Sequence, residues 1–304
     1  MSVGSIIGGG VRLMREQPGT VAIWAAIHLG VVGLGIAAMQ PWTAAIVAMQ
    51  RQPVDPAMPP QLPSGMFGGL FLLYLAMLIL MVVAFAAVVR AVVRPTGDRF
   101  AYLRLGMDEL RLFGLGVILV IAGLIAEMVA ILAVVLVAGL VSLVAGHAAA
   151  AIAGVLLGLA LLCGAFYVQV RLSLSGALTV MRGRIAIRES WRMTRGHFWT
   201  LVGVFAVLSV GFILVMIVAV ALTSPGLLSA YASMDPTAIT AAAQQQIDRQ
   251  TAGLTAGLIG QLVVSALAGT ILGVVFCGAV ATAALELGGD MSVADAAGQD
   301  RGID

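Results

Sequence analysis

Long apolar runs separated by short, arginine-bearing segments set the pattern of this chain. A helix that crosses a bilayer needs about 20 mostly apolar residues, and each run is long enough. The first covers residues 20–39, after Pro18 and before Pro41, and the second about 66–89. The stretch 112–170 is too long for one crossing and long enough for two, predicted at 112–138 and 149–170 with a turn near Gly146-His147. A fifth run covers 198–222 and a sixth about 254–285. Arg12 and Arg15 ahead of the first run imitate a signal peptide. Its apolar core exceeds an h-region of roughly 7–15 residues, so it reads as a retained span. The expected architecture is all-α: a polytopic membrane helical bundle with six transmembrane helices, residues 1–287 forming one domain and 288–304 a cytoplasmic tail.

Composition narrows the class. Of 304 residues, 61% are hydrophobic and 10% charged, against roughly 45–50% and about 25% in soluble domains. That excludes a soluble globular enzyme and a disordered chain. All 16 basic residues are arginines. GC-rich codon usage and a preference for bidentate phosphate contacts both explain this. A net charge of +2 gives no case for nucleic acid as a partner. Cys163 and Cys277 lie in apolar runs without metal spacing and read as small core hydrophobes.

Arginine placement predicts orientation. With six spans, fourteen arginines fall on the side of the termini and two, Arg51 and Arg249, on the other. The positive-inside rule makes the richer side cytoplasmic. On the outer side, residues 41–64 are Pro-rich and predict an irregular loop. Asp235-Pro236-Thr237 predicts the start of a short surface helix, with Pro at its first position.

Three basic segments precede the odd-numbered spans. Arg12-Leu13-Met14-Arg15 before Thr20 aligns without gaps with Arg192-Met193-Thr194-Arg195 before Thr200. In residues 103–113, Arg104 and Arg111 repeat the seven-residue spacing of Arg188 and Arg195. Each segment is expected to form a short interfacial amphipathic helix, Arg toward headgroups and Leu, Met, Trp or Phe toward acyl chains. Together they suggest a threefold internal repeat. The alternative is that cytoplasmic lead-ins to bacterial spans share this character.

The segment 187–199 carries Ser190, Trp191, Met193, Gly196, Phe198 and Trp199 ahead of a span. In this pattern it resembles the bacterial membrane domain associated with glycerophosphoryl diester phosphodiesterases, and related six-span families of unknown function. The resemblance implies a membrane module in a bacterial cytoplasmic (inner) membrane. It does not imply a phosphodiesterase, because in the fused proteins a separate soluble domain carries the catalysis and this chain has no room for one. From the residues themselves, Trp191 and Trp199 read as interface anchors. Arg188, Arg192 and Arg195 recur at spacings of four and three, which predicts a shared helix face. They become candidate contacts to headgroups or phosphates, with Glu189 expected to pair with Arg192.

No catalytic, nucleotide-binding or metal motif is present, so neither an enzyme nor a cofactor is expected. The pairs Gly154/Gly158, Gly253/Gly257 and Gly269/Gly273 have GxxxG spacing and predict close helix packing, within the chain or across a dimer. Glu127 is the most conspicuous polar residue inside a run. A carboxylate in hydrocarbon is costly and is expected to face the bundle interior or water. His28 and Gln169 are weaker intramembrane candidates. At 1.5 Å per residue His28 lies roughly 12 Å, and Glu127 roughly 22 Å, from the cytoplasmic ends of their spans. Two functional expectations follow: a non-enzymatic accessory or scaffold module binding lipids, anionic ones among them, a partner membrane protein or a second copy; or a small transporter or lipid carrier working through the intramembrane carboxylate.

Overall fold

A computed structural model describes residues 2–51, 66–95, 101–251 and 255–299. Arg99, Arg301 and most of the Pro-rich outer stretch lie outside the described residues. Those that are described form ten helices and no strand: α1 (Val3–Glu16), α2 (Pro18–Arg51), α3 (Met66–Val93), α4 (Met107–Leu172), α5 (Ser175–Arg182), α6 (Ile187–Met193), α7 (Phe198–Thr223), α8 (Pro225–Ser233), α9 (Pro236–Thr251) and α10 (Ala256–Gln299). Five helical stretches among them are long and apolar enough to cross a membrane: Pro18–Trp42, Gly68–Val93, Met107–Arg182, Phe198–Thr223 and Ala256–Gly288.

The longest of these is a hairpin. Helix α4 breaks at Gly146, whose φ of 82° and ψ of 173° lie outside helical geometry, in a region open essentially only to glycine. The turn falls where the sequence placed it, between two arms, 107–145 and 147–172. Helix α9 also begins as expected. The Asp235 carboxylate accepts from the Thr237 backbone N–H at 2.9 Å and from its hydroxyl at 2.7 Å, satisfying a helix-end donor. Two boundaries differ from expectation. Helix α2 runs through Pro41 to Arg51, so nearly half of the expected outer loop is helical. Helix α10 continues through Gln299, well into the expected tail.

Burial is concentrated at one end. The main core joins Ile6 of α1, Ala86 and Val89 of α3, Leu112 and Leu115 of α4, Leu174 and Leu178 around α5, Leu201 of α7 and the Ala279–Leu287 stretch of α10. We call this end the base. Helix α1 sits within it. Its start is capped by Ser2, which accepts from the Ser5 N–H at 3.1 Å. Its apolar face, Ile6, Gly9, Gly10 and Leu13, is buried, and its main partner is α10. The helices nearly touch: a Cβ on Gly278 would lie 2.6 Å from the Gly10 Cα, and one on Gly10 would lie 2.7 Å from the Val275 Cα.

This corrects the expectation of interfacial helices. The apolar face of α1 meets protein, because Gly9 and Gly10 let α10 approach too closely for lipid to enter. Residues 103–113 form no separate helix either; they are a short extended lead-in followed by the first turns of α4. The GxxxG pairs also read differently. Gly158 and Gly273 have no neighbour within contact, and Gly154 meets only Ala138 and Val134 across the hairpin. Of the expected glycines, Gly269 does pack closely, under the His28 ring; the other close approaches fall at Gly9, Gly10 and Gly278.

Candidate functional site

The base holds two polar clusters. The first locks the chain between α3 and α4. Arg90, in the last turn of α3, forms a buried ion pair with Glu109 and donates to the Tyr102 carbonyl. The other Glu109 oxygen accepts from the Gly106 backbone N–H at 2.9 Å, so the carboxylate caps the start of α4. Ala101 and Tyr102 are left-handed, with φ of 50° and 61°, a conformation costly for non-glycine residues. Three contacts hold them there. The Trp24 indole N–H donates to the Ala101 carbonyl at 2.9 Å. The Tyr102 hydroxyl donates to the Pro95 carbonyl at 2.8 Å, and the Gln17 amide donates to that hydroxyl at 3.1 Å. A cavity beside Arg90 and Asp108 measures about 10 Å³, room for one water. This cluster is structural scaffolding.

The second cluster is the elbow from α5 to α7. Ser190 donates to the Arg171 carbonyl at 2.9 Å. Thr179 accepts from the Ala186 N–H at 3.3 Å while donating to the Ser175 carbonyl at 2.7 Å. These buried hydroxyls fix α6 against the end of the hairpin. The Arg171 guanidinium is buried, 4.9 Å from the Trp191 ring and 5.5 Å from the Tyr167 ring, a cation–π arrangement. Tyr167, Phe198 and Trp199 continue the aromatic row, with centroids 5.1 Å and 5.3 Å apart. Gly196, at φ 106°, turns the chain from α6 into α7.

The remaining side chains of the elbow face outward. Glu189 pairs with Arg182 at 2.8 Å and Arg184 at 3.1 Å, and not with Arg192 as expected. Spacing misled here because Gly183 folds α5 back, bringing two arginines to one carboxylate. Arg188, Arg192 and Arg195 are exposed, with no ion-pair partner among the described residues. They do not share one helix face, since α6 ends at Met193 and Arg195 lies in the turn beyond it. Trp191 is partly exposed and Trp199 is 79% exposed. The result is a patch of three free guanidinium groups bordered by two indoles.

The intramembrane candidates do not converge. His28 packs on α10, its Nδ1 3.1 Å from the Thr270 hydroxyl. Thr270 in turn donates to the Ala266 carbonyl at 2.8 Å. Glu127 and Gln169 are exposed on the two arms of the α4 hairpin; of the two surroundings expected for Glu127, the bundle interior or water, it does not lie in the first. No group of three His, Cys, Asp or Glu side chains capable of holding a metal occurs among the described residues.

Sequence reasoning missed the Arg90–Glu109 pair and the burial of Arg171. Gly106 followed three residues later by Glu109 is the signature of an acidic helix start and was available. Arg90 and Arg171, counted as loop cations, lie inside helices. Comparison with protein-family models, curated proteins and solved structures gives no match.

Proposed function

We propose that this chain is a six-span module of a bacterial cytoplasmic membrane, with both termini cytoplasmic, and that it acts as a non-enzymatic accessory or scaffold protein engaging anionic lipid headgroups. The break at Gly146 turns five apolar stretches into six crossings, and the arginine count orients them. The observation that carries the functional reading is the division among the arginines of the base. Arg90, Arg171, Arg182 and Arg184 have partners within the protein. Arg188, Arg192 and Arg195 have no ion-pair partner among the described residues and belong to the segment that carries Trp191 and Trp199. Indoles favour the headgroup level, and a cationic patch there attracts anionic lipid by about 1 kcal/mol per basic residue. The pattern at Ser190, Trp191, Met193, Gly196, Phe198 and Trp199 that resembles the phosphodiesterase-associated membrane domain supports the same reading.

A carrier built on Glu127 has less support, because Glu127 and His28 lie on different elements and share no contact. The test is native mass spectrometry of the protein released from nanodiscs of mixed phosphatidylglycerol and phosphatidylethanolamine. Retained phosphatidylglycerol should fall about tenfold or more in the variant R188Q/R192Q/R195Q, with the fold unchanged. Equal retention in the variant and the wild type overturns the lipid assignment.

A further inference from the structure

The α4 hairpin departs from the rest of the fold. Residues 120–129 are all exposed, and so are residues 162–169. At 3.6 residues per turn, these stretches cover more than two turns each, so every side of the first arm is open, and the second arm is open apart from the side on which Tyr167 packs against Phe198 and Trp191. The arms approach each other beyond this zone, where Gly154 faces Ala138 and Val134, and both reach the core of the base, through Leu112, Leu115 and Val170. An open window between two apolar helices results.

The window carries two polar groups, Glu127 on the first arm and Gln169 on the second. Neither has a partner within the protein among the described residues. Carrying the Gly154–Ala138 register down the hairpin at 1.5 Å per residue puts Gln169 opposite residue 123, about 6 Å closer to the base than Glu127. Side chains on a helix lean toward its N-terminus. Glu127, on the arm leaving the base, leans toward the base. Gln169, on the returning arm, leans toward the tip. Their heads approach one depth, one offering carboxylate oxygens and the other an amide N–H donor.

We propose that the occupant of this window is the hairpin of a second copy of this chain, Glu127 of each protomer accepting from Gln169 of the other. The proposal rests on the membrane-spanning reading above. Two copies inserted with the same topology relate by a two-fold axis along the bilayer normal. Such an axis preserves depth and makes the contact self-complementary, so acceptor meets donor twice. Two hairpins face to face form a four-helix bundle, which covers both open windows. It also removes the two uncovered polar groups from hydrocarbon, where they are costly. A single hairpin covers neither its window nor its carboxylate, so the arrangement is incomplete without the second copy.

Cross-linking in native membranes tests this. In a C163S/C277S background, E127C and Q169C are placed in separately tagged copies and co-expressed. A bifunctional thiol reagent bridging about 10 Å, the 6 Å offset combined with a helix spacing of about 8 Å, should join 127 to 169 between copies, whereas L222C, exposed on α7, should give little. In nanodiscs or vesicles of stated lipid-to-protein ratio, E127L should weaken dimerisation about tenfold, in keeping with interhelical hydrogen bonds in lipid. The exchange E127Q/Q169E should restore it to within about twofold. Protein retained in carbonate-washed membranes but giving no 127–169 link, or one no stronger than at L222C, overturns the dimer and leaves the spanning reading standing. Loss from carbonate-washed membranes overturns the spanning reading itself. A link to a different protein, or failure of the exchange to rescue, also overturns the proposal.

Discussion

The base and the hairpin solve the polar problem of an apolar chain in opposite ways. At the base, charge is matched: Arg90 on Glu109 and Arg171 between aromatic rings are buried, and Glu189 lies between two arginines nearer the surface. Along the open part of the hairpin, Glu127 and Gln169 are exposed and unmatched among the described residues. The base is finished within one chain, whereas the hairpin leaves its polar groups to something outside it. Substitutions at the two ends should therefore differ in kind. Those at the base disturb folding, and those on the hairpin disturb association.

The largest effect is expected at Glu109. Glu109→Leu leaves the Arg90 guanidinium buried without its counter-charge, which costs about 3–5 kcal/mol. It also removes the acceptor for the Gly106 N–H. A thermal melt in detergent should show the variant partly unfolded, while Glu127→Gln melts with the wild type. R90L/E109L should recover most of the loss, because replacing both members of a buried pair by apolar residues is often close to neutral. No recovery would mean that the Tyr102 carbonyl, and not the charge, is what Arg90 serves.

Next comes helix proximity. Gly278→Ala puts a methyl group 2.6 Å from the Gly10 Cα. Backbone cannot swing aside, so overpacking of about 1–3 kcal/mol is expected. Gly158→Ala, on the open hairpin, meets nothing and should be neutral or stabilise by roughly 0.5–1 kcal/mol through helix propensity. The melting temperature should fall in Gly278→Ala and hold or rise in Gly158→Ala. If both fall alike, the hairpin is packed in a way the protomer does not reveal.

These two sites also mark what the sequence could and could not disclose. Long apolar runs and a glycine-histidine turn are local signals, and the long apolar helices and the break at Gly146 followed from them. So did the start of α9, since proline after aspartate is local chemistry. The partner of a glycine is not local. GxxxG spacing drew attention to Gly154 and Gly158, whereas Gly10 and Gly278 meet because α1 folds back into the base from the far end of the chain. The same holds for charge. Glu189 faced Arg192 in sequence spacing, but the turn at Gly183 delivered Arg182 and Arg184. Arg188, Arg192, Arg195, Trp191 and Trp199 were legible as a patch because α6 and the turn after it keep sequence neighbours adjacent. Glu127 was legible as unusual, but its outward direction depends on how α4 packs.

A smaller effect is expected inside the elbow. Ser190→Ala removes the hydroxyl donated to the Arg171 carbonyl, a buried hydrogen bond worth about 1 kcal/mol. The melting temperature should fall slightly. If α6 is the platform for the arginine patch, phosphatidylglycerol retention should fall with it, at unchanged charge. Lost stability with full retention would separate the patch from the hydrogen bonds beneath it.

The smallest effect lies outside both regions, at the start of α9. Hydrogen bonds from the Thr237 side chain and then its backbone hold the Asp235 carboxyl below its ordinary value. A carboxylate whose folded pKa is depressed contributes stability that is complete above its unfolded pKa and is lost as pH falls through the folded one. Protection of the first α9 amides from hydrogen exchange should therefore be flat from neutral pH down to the usual aspartate range, and decline only below it. In Asp235→Asn that decline should vanish, because the side chain still caps but no longer titrates. The group is fully exposed, so the change should be confined to the first turn of α9 and leave the melting of the base untouched. A pH dependence reaching α1 or α10 would mean that the outer helices and the base unfold as one unit, erasing the contrast between a self-sufficient base and the rest of the chain.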